Sequence, residues 1–584
     1  MYSTQRTHDT ARKAPLRLIS SLLVCVVWLF PAYAADSDAE LPEAGPITLQ
    51  SPNGLSVPAE LRYFRVPENR NKPGGRQIQL AFLHFKSERE DPLPPAIYLS
   101  GGPGASGINQ IRAALDRLVL PMLEDRDVIA LDQRGTGLSN PLPPCGPDWW
   151  FPLDAVVTQE MWDARLAEIV GGCAAYWRDQ GVDLAAYDTE ESADDLEALR
   201  RVLGVERIAL WGMSYGSHLA LAYLKRHPAS LARMVIAGVE GPDHTLKLPL
   251  DLERVIDEID RKTAAHPEWA LPPLRRTIPA VLARLEQEPV RVDVAVPNLG
   301  KRTVTISKHD LQLVTASVLK RTKTQTKIPL FFKRMVDGDF SAVAKRVAAL
   351  HRGHPLNPMG LAMDAASWSS PERLNLIGRQ RESALLGDAA NRSFEVVAAH
   401  LGVTPLAEDF RTPVASEVPV LMISGSLDGR TPVSNGEEVL RGLPNGVHLI
   451  VENVAHEGSL LAGRLTRDKV LAFMRGEKVT AARLVESEPR WAVEGTPTIL
   501  TEAELAAYAG RYRMPDRVIT LASTENGLIA RDRSGSFSLS PRGKGVFVNA
   551  KRRIRVRFRT EEGHKVTGFE TRMGGKRVFA VRVE

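Results

Sequence analysis

The pentapeptide Gly212-Met213-Ser214-Tyr215-Gly216 has the G-x-S-x-G spacing, in which a serine stands on a sharp turn from a strand into a helix. Small residues two before and two after it let neighbouring backbone pass close by, which makes Ser214 a candidate nucleophile. A serine hydroxyl is a weak nucleophile at neutral pH, so it needs a base, and the base needs a carboxylate to orient it. On such a turn the chain order is Ser, then Asp or Glu, then His. Asp428 follows the apolar run 418–424, within Gly425-Ser426-Leu427-Asp428-Gly429-Arg430. His456 follows the apolar run 447–451, within Asn453-Val454-Ala455-His456-Glu457-Gly458. Of 13 histidines only His448, His456 and His564 come after Asp428. His448 falls inside the run and His564 in the tail, which leaves His456 as the base. His218, one turn beyond Ser214, reads as a packed helix residue.

The charged tetrahedral intermediate of such chemistry needs backbone N–H donors aimed at its oxygen. Tyr215, directly after the nucleophile, is one candidate. The other comes from Ser100-Gly101-Gly102-Pro103-Gly104, a glycine turn after the run 96–99. Proline has no N–H, so Gly102 is the better choice. A phosphate-binding reading of this turn fails, because no Lys-Ser/Thr or G-x-G-x-x-G spacing follows. Nothing calls for a cofactor or metal: there is no H-E-x-x-H pair and no cysteine cluster. Asp132 and Arg134, at another strand end, read as braces for these loops.

These groups must be brought to one edge of a sheet. Short apolar runs alternate with helical stretches from residue 78 to 131 and from 192 to 237, and again after 418. Continuous apolar strands separated by helices predict an α/β fold with a mostly parallel sheet, buried on both faces. Between 243 and 404 the rhythm turns to amphipathic helices, which predicts an inserted helical cap. The catalytic body is then discontinuous, 35–242 and 405–485. After a linker, residues 495–584 alternate apolar and polar with glycine turns, as in Ile554-Arg555-Val556-Arg557-Phe558-Arg559, predicting a small antiparallel sheet or barrel with the arginines on its solvated face.

Gly101-Gly102-Pro103-Gly104, then Asp132-Gln133-Arg134-Gly135-Thr136-Gly137-Leu138-Ser139, then Gly212-Met213-Ser214-Tyr215-Gly216 resemble the serial signatures of the prolyl and tripeptidyl aminopeptidase family of α/β hydrolases. The likeness covers about residues 50 to 480, and the Asp-Gln-Arg-Gly run is its most specific part. It implies an exported aminopeptidase that releases residues or short peptides from free N-termini beneath a helical cap. One departure is Ser100, where the family usually has a histidine. An exopeptidase must also neutralise the substrate ammonium, and Glu240, after the strand 234–237, is the candidate carboxylate. Leu505-Ala506-Ala507-Tyr508-Ala509-Gly510-Arg511-Tyr512 resembles the small β-barrel domains appended to some bacterial serine hydrolases. A carboxylesterase or other small-acyl hydrolase, and a catalytically silent binding protein, are the competing readings.

Arg6, Arg12, Lys13 and Arg17 precede an apolar run 18–30 and Ala32-Tyr33-Ala34, the three parts of a secretory leader cut after residue 34. The run is too short to span a bilayer well, so a periplasmic or secreted protein with no stable membrane span is expected. Export permits disulfides, and once the leader is removed only Cys145 and Cys173 remain; a bridge or two buried thiols are the alternatives. The net charge of +5 over 584 residues is concentrated in the leader and the tail. The acidic stretch between them does not suit nucleic acid; the expected partner is a peptide or a small amide or ester.

Overall fold

A computed structural model describes residues 42–583, except 52, 297–298, 494–501, 525–526, 533–534, 542–544, 550–553, 561–565 and 574–575. The expected leader, 1–34, lies outside the described residues. One ten-stranded sheet organises the body. Its chain order is β1 (Gly45–Gln50), β2 (Ser56–Pro67), β3 (Gln77–Phe85), β4 (Leu93–Leu99), β5 (Arg126–Leu131), β6 (Ile208–Ser214) and β7 (Leu231–Val239). After an excursion that contains the hairpin β8 (Val290–Val296) and β9 (Gly300–Ile306), the sheet resumes with β10 (Val420–Gly425), β11 (Gly446–Glu452) and β12 (Ala482–Val485). Across the sheet the order is β1-β2-β3-β5-β4-β6-β7-β10-β11-β12, antiparallel up to the β3–β5 pair and parallel beyond it. This is the α/β-hydrolase fold.

Alternation along the strands divides the core into two layers. Ile97, Leu99, Leu210 and Ile236 pack on one face with Tyr215, Leu219 and the cap. Ala96, Tyr98, Trp211 and Val235 pack on the other with residues of the helices that follow β4 and β11, among them Leu115, Met122, Leu461 and Phe473. Because successive side chains point to opposite faces, strands apolar throughout are what a sheet covered on both sides requires.

The excursion between β7 and β10 is mainly helical, from Pro249–Ala264 to Phe394–Leu401, but it is not helical throughout. Val290-Arg291-Val292-Asp293-Val294-Ala295-Val296 alternates with period two and forms the hairpin with β9. The cover also recruits residues from before the elbow. Cys145 and Leu356 exchange backbone hydrogen bonds, Trp150 N–H donates to His351 O, Thr305 N–H donates to Leu153 O, and Ser307 Oγ donates to Val157 O. Cys145 is joined by a disulfide to Cys173, on the helix Gln159–Asp179.

Beyond β12 the chain returns to this cover. Asn453 Nδ2 donates to Glu486 O at 2.8 Å, Ala492 N–H donates to Thr326 O at 2.9 Å, and the Trp491 ring is buried. The last unit is a closed barrel of eight antiparallel strands, Gly510–Arg513 to Lys576–Arg582, in which Tyr512 pairs with Arg582 to complete the circle. Tyr512, Phe547, Phe558 and Phe569 fill it, while Arg555, Arg557 and Arg559 face out. No helix among the described residues is long and apolar enough to cross a membrane.

Candidate active site

Ser214 ends β6 with φ +60° and ψ −129°, a conformation that is sterically costly for a residue with a side chain. The flanking glycines explain how it is tolerated. A Cβ on Gly216 would lie 2.3 Å from Leu99 O, and one on Gly212 would lie 2.9 Å from the same oxygen. Ser217 Oγ donates to Ser214 O at 2.6 Å, and Glu240 N–H donates to Ser217 Oγ at 2.8 Å, which ties the elbow to the end of β7.

The glycine turn after β4 runs against this elbow. A Cβ on Gly101 would come within 2.9 Å of Met213 O and 3.2 Å of Ser214 Cβ. Gly102 follows at φ +128°, open in practice only to glycine. The two expected donors, Gly102 and Tyr215, thus lie on turns that flank Ser214. Ser100, the departure from the family pattern, is buried and donates to Ala105 O at 2.6 Å, while Gln133 Nε2 donates to Ser100 O at 3.2 Å. The turn is held without a histidine.

Asp428 and His456 meet at the ends of neighbouring strands. His456 Nδ1 lies 2.7 Å from Asp428 Oδ2, and Thr431 Oγ1 donates to the same carboxylate oxygen at 2.8 Å. Asp428 Oδ1 accepts the backbone N–H groups of Arg430 and Thr431, both at 2.8 Å. Burial works against the Asp428 charge, but His456 and the Thr431 bonds outweigh it and hold the carboxyl below its ordinary range. The ring rests on Gly238, where a Cβ would stand 3.0 Å from His456 Cε1. Gly238 is the extra residue in the β6–β7 register, between the pairs Met213–Ala237 and Ser214–Val239, so the imidazole sits beside the elbow. No hydrogen bond joins it to the Ser214 hydroxyl here, and such contacts often tighten only when substrate binds.

Glu240 is buried, and its Oε2 holds Lys247 Nζ at 2.9 Å; Lys247 Nζ also donates to His244 O at 2.6 Å. Burial opposes the Glu240 charge, yet Lys247, His218 and Arg430 together keep its carboxyl below the usual range. Burial and the Glu240 carboxylate push nearby Asp364 up to about 7. His218 is a packed helix residue, with Nδ1 3.0 Å from Gly241 O and Nε2 3.2 Å from Ser367 Oγ. Asp132 takes Ser106 Oγ and the N–H groups of Ile108 and Leu138, while Arg134 bonds Asp195 and Glu191. Sequence reasoning missed Lys247 and Asp364, as well as Lys320 and Arg392, because a helical cap gives no motif that announces which charges it turns inward; Arg430 was read only as part of the Asp428 loop.

The family described as alpha/beta hydrolase fold matches residues 94–295, and the one described as TAP-like protein matches residues 385–482. The chain has the α/β-hydrolase fold that the first of these two families describes. Several of its curated relatives are named as peptidases. It is 29% identical over 202 residues to a tripeptidyl aminopeptidase of Streptomyces lividans, covering 32% of this chain and 36% of that one. It is 28% identical over 215 residues to a probable proline iminopeptidase of Streptomyces coelicolor, covering 36% and 52%. It is 26% identical over 189 residues to the serine protease Hip1 of Mycobacterium tuberculosis, covering 30% and 35%. The aligned region spans about a third to a half of the length of these relatives.

Proposed function

We propose that this chain is an exported serine aminopeptidase that releases residues or short peptides from free N-termini. His456 takes the proton of Ser214 as the hydroxyl attacks the carbonyl, and Asp428 stabilises the imidazolium. The N–H groups of Gly102 and Tyr215 receive the oxyanion. Collapse of the intermediate breaks the C–N bond, the imidazolium protonates the leaving amine, and water then hydrolyses the acyl-enzyme through the same base. The observation that carries this reading is the Asp428–His456 pair at 2.7 Å, set beside the strained Ser214 turn. The Cys145–Cys173 bridge supports export, since disulfides persist in oxidising compartments.

A second reading, a carboxylesterase, is favoured by one observation. Lys247 already occupies Glu240, the expected ammonium partner. Hydrolysis of aminoacyl amides against short acyl esters separates the two. Turnover of free-amine peptides is expected, with loss on N-acetylation and a drop of about 10⁴-fold or more in Ser214→Ala. Rapid ester cleavage indifferent to N-acetylation would replace the peptidase reading.

A further inference from the structure

Three basic side chains, Lys320, Arg392 and Arg430, act on one another close to the acid–base pair, and none of them closes an ion pair among the described residues. Lys320 stands on a segment whose carbonyl accepts the His456 N–H at 3.2 Å. Gln325, from the same segment, donates to Leu319 O at 2.6 Å and to Leu427 O at 2.7 Å, next to Asp428. Arg430 is fixed by its own N–H on Asp428 Oδ1. Arg392 comes from a cap turn whose preceding residue, Asn391, exchanges bonds of 2.7 and 2.9 Å with the Lys247 backbone.

The three are half-buried, and none has an ion pair or a side-chain hydrogen bond among the described residues. Arg392 and Ser393 sit at φ +52° and +58°, left-handed positions that cost side-chain-bearing residues free energy. Burial, then Arg430, Arg392 and Lys247, push Lys320 down to about 7. Burial, then Arg430, likewise lowers Arg392. Like charges gathered where each is half-buried repel one another and are poorly hydrated, so an anion bound among them relieves both penalties. Arg430 also acts on Glu240 and Asp364, so the basic group borders the acidic one.

We propose that Lys320, Arg392 and Arg430 seat a carboxylate of the substrate, so that preferred peptides carry a negative charge at a distance from their free N-terminus. This rests on the aminopeptidase reading of the same site. The carboxylate has two sources, the C-terminus of a short peptide or an Asp or Glu side chain.

The test uses the full-length mature enzyme and matched tripeptides, free acid against C-terminal amide, and Glu against Gln within the amide series. Hydrolysis is measured on the wild type, and binding by calorimetry on Ser214→Ala. We expect at least about tenfold tighter binding and a lower KM for the charged member of one series, a ratio that shrinks as salt rises and falls toward one in Arg392→Gln and Lys320→Gln. Discrimination in the first series assigns the C-terminal source, and in the second the side-chain source. Ratios near one in both series on unmutated cations overturn the proposal, even if every peptide is cleaved. Charged-ligand preference in binding with no peptide cleavage would instead remove the aminopeptidase reading and leave the carboxylate seat.

Discussion

Arg134, in the loop after β5, and Arg392, in the cap, are both guanidinium groups withdrawn from bulk water, and they are built in opposite ways. Arg134 is fully buried and every edge of it is used. It donates to Asp195 at 2.8 Å, to Glu191 at 3.1 Å, and to the carbonyls of Glu68 and Ala186. Arg70 joins the same two carboxylates from β2's far end. Arg392 has no acceptor among the described residues and faces two other cations. A guanidinium that holds a fold together is satisfied by that fold, whereas one left short of acceptors beside a reactive pair is completed from outside.

Breaking the satisfied arginine should have the largest effect. Arg134→Ala leaves Asp195 and Glu191 buried without their main partner, and about 3–5 kcal/mol of stability is expected to go, read as a lowered urea midpoint. A loss below about 1 kcal/mol would erase the distinction drawn here. Glu197 offers an intermediate case, because Arg200, Arg201 and Tyr223 all converge on its carboxylate. Led by the Arg200 bonds, these partners depress its pKa to about 2, against about 4.3 in an unfolded chain. Its contribution is therefore complete above about pH 4.3 and disappears as pH falls through about 2. Glu197→Gln should cost about 1–2 kcal/mol at pH 7, with the gap from wild type closing on acidification. A gap that stays constant with pH would assign the effect to packing. Smallest, and of opposite sign, is Arg392→Gly, which removes a left-handed side chain and an unpaired charge. It should raise stability by about 0.5–1 kcal/mol while weakening binding of acidic peptides, and a drop in melting temperature would show that Arg392 has structural partners after all.

Local constraints were legible in the sequence and long-range ones were not. Gly212 and Gly216 announce the elbow because a Cβ at either meets Leu99 O, a steric demand written within five residues. The meeting of Asp428 and His456 was readable because each follows an apolar strand, and strand ends of a parallel sheet share an edge. The β8–β9 hairpin had its own period-two signal in Val290–Val296, obscured by the helices around it. Recruitment of residues near Cys145 and Trp150 into the cover depends on pairing with Leu356 and His351, far along the chain, and no local pattern encodes that. The same applies to Glu240. Its position at the active edge could be read, but Lys247 filling it could not, since that follows from how the cap folds back.

The strap beyond β12 gives the far end of the body a bearing on turnover. It is fastened at Asn453, three residues before the imidazole, and at Thr326, on the segment that carries Lys320. A chain nicked between 486 and 493 would keep its sheet with Ser214, Asp428 and His456 yet loosen the fastening of the stretches that flank His456 and Lys320. The expected outcome of a cut there is lost turnover with retained helix content, read by hydrolysis and circular dichroism on the nicked protein.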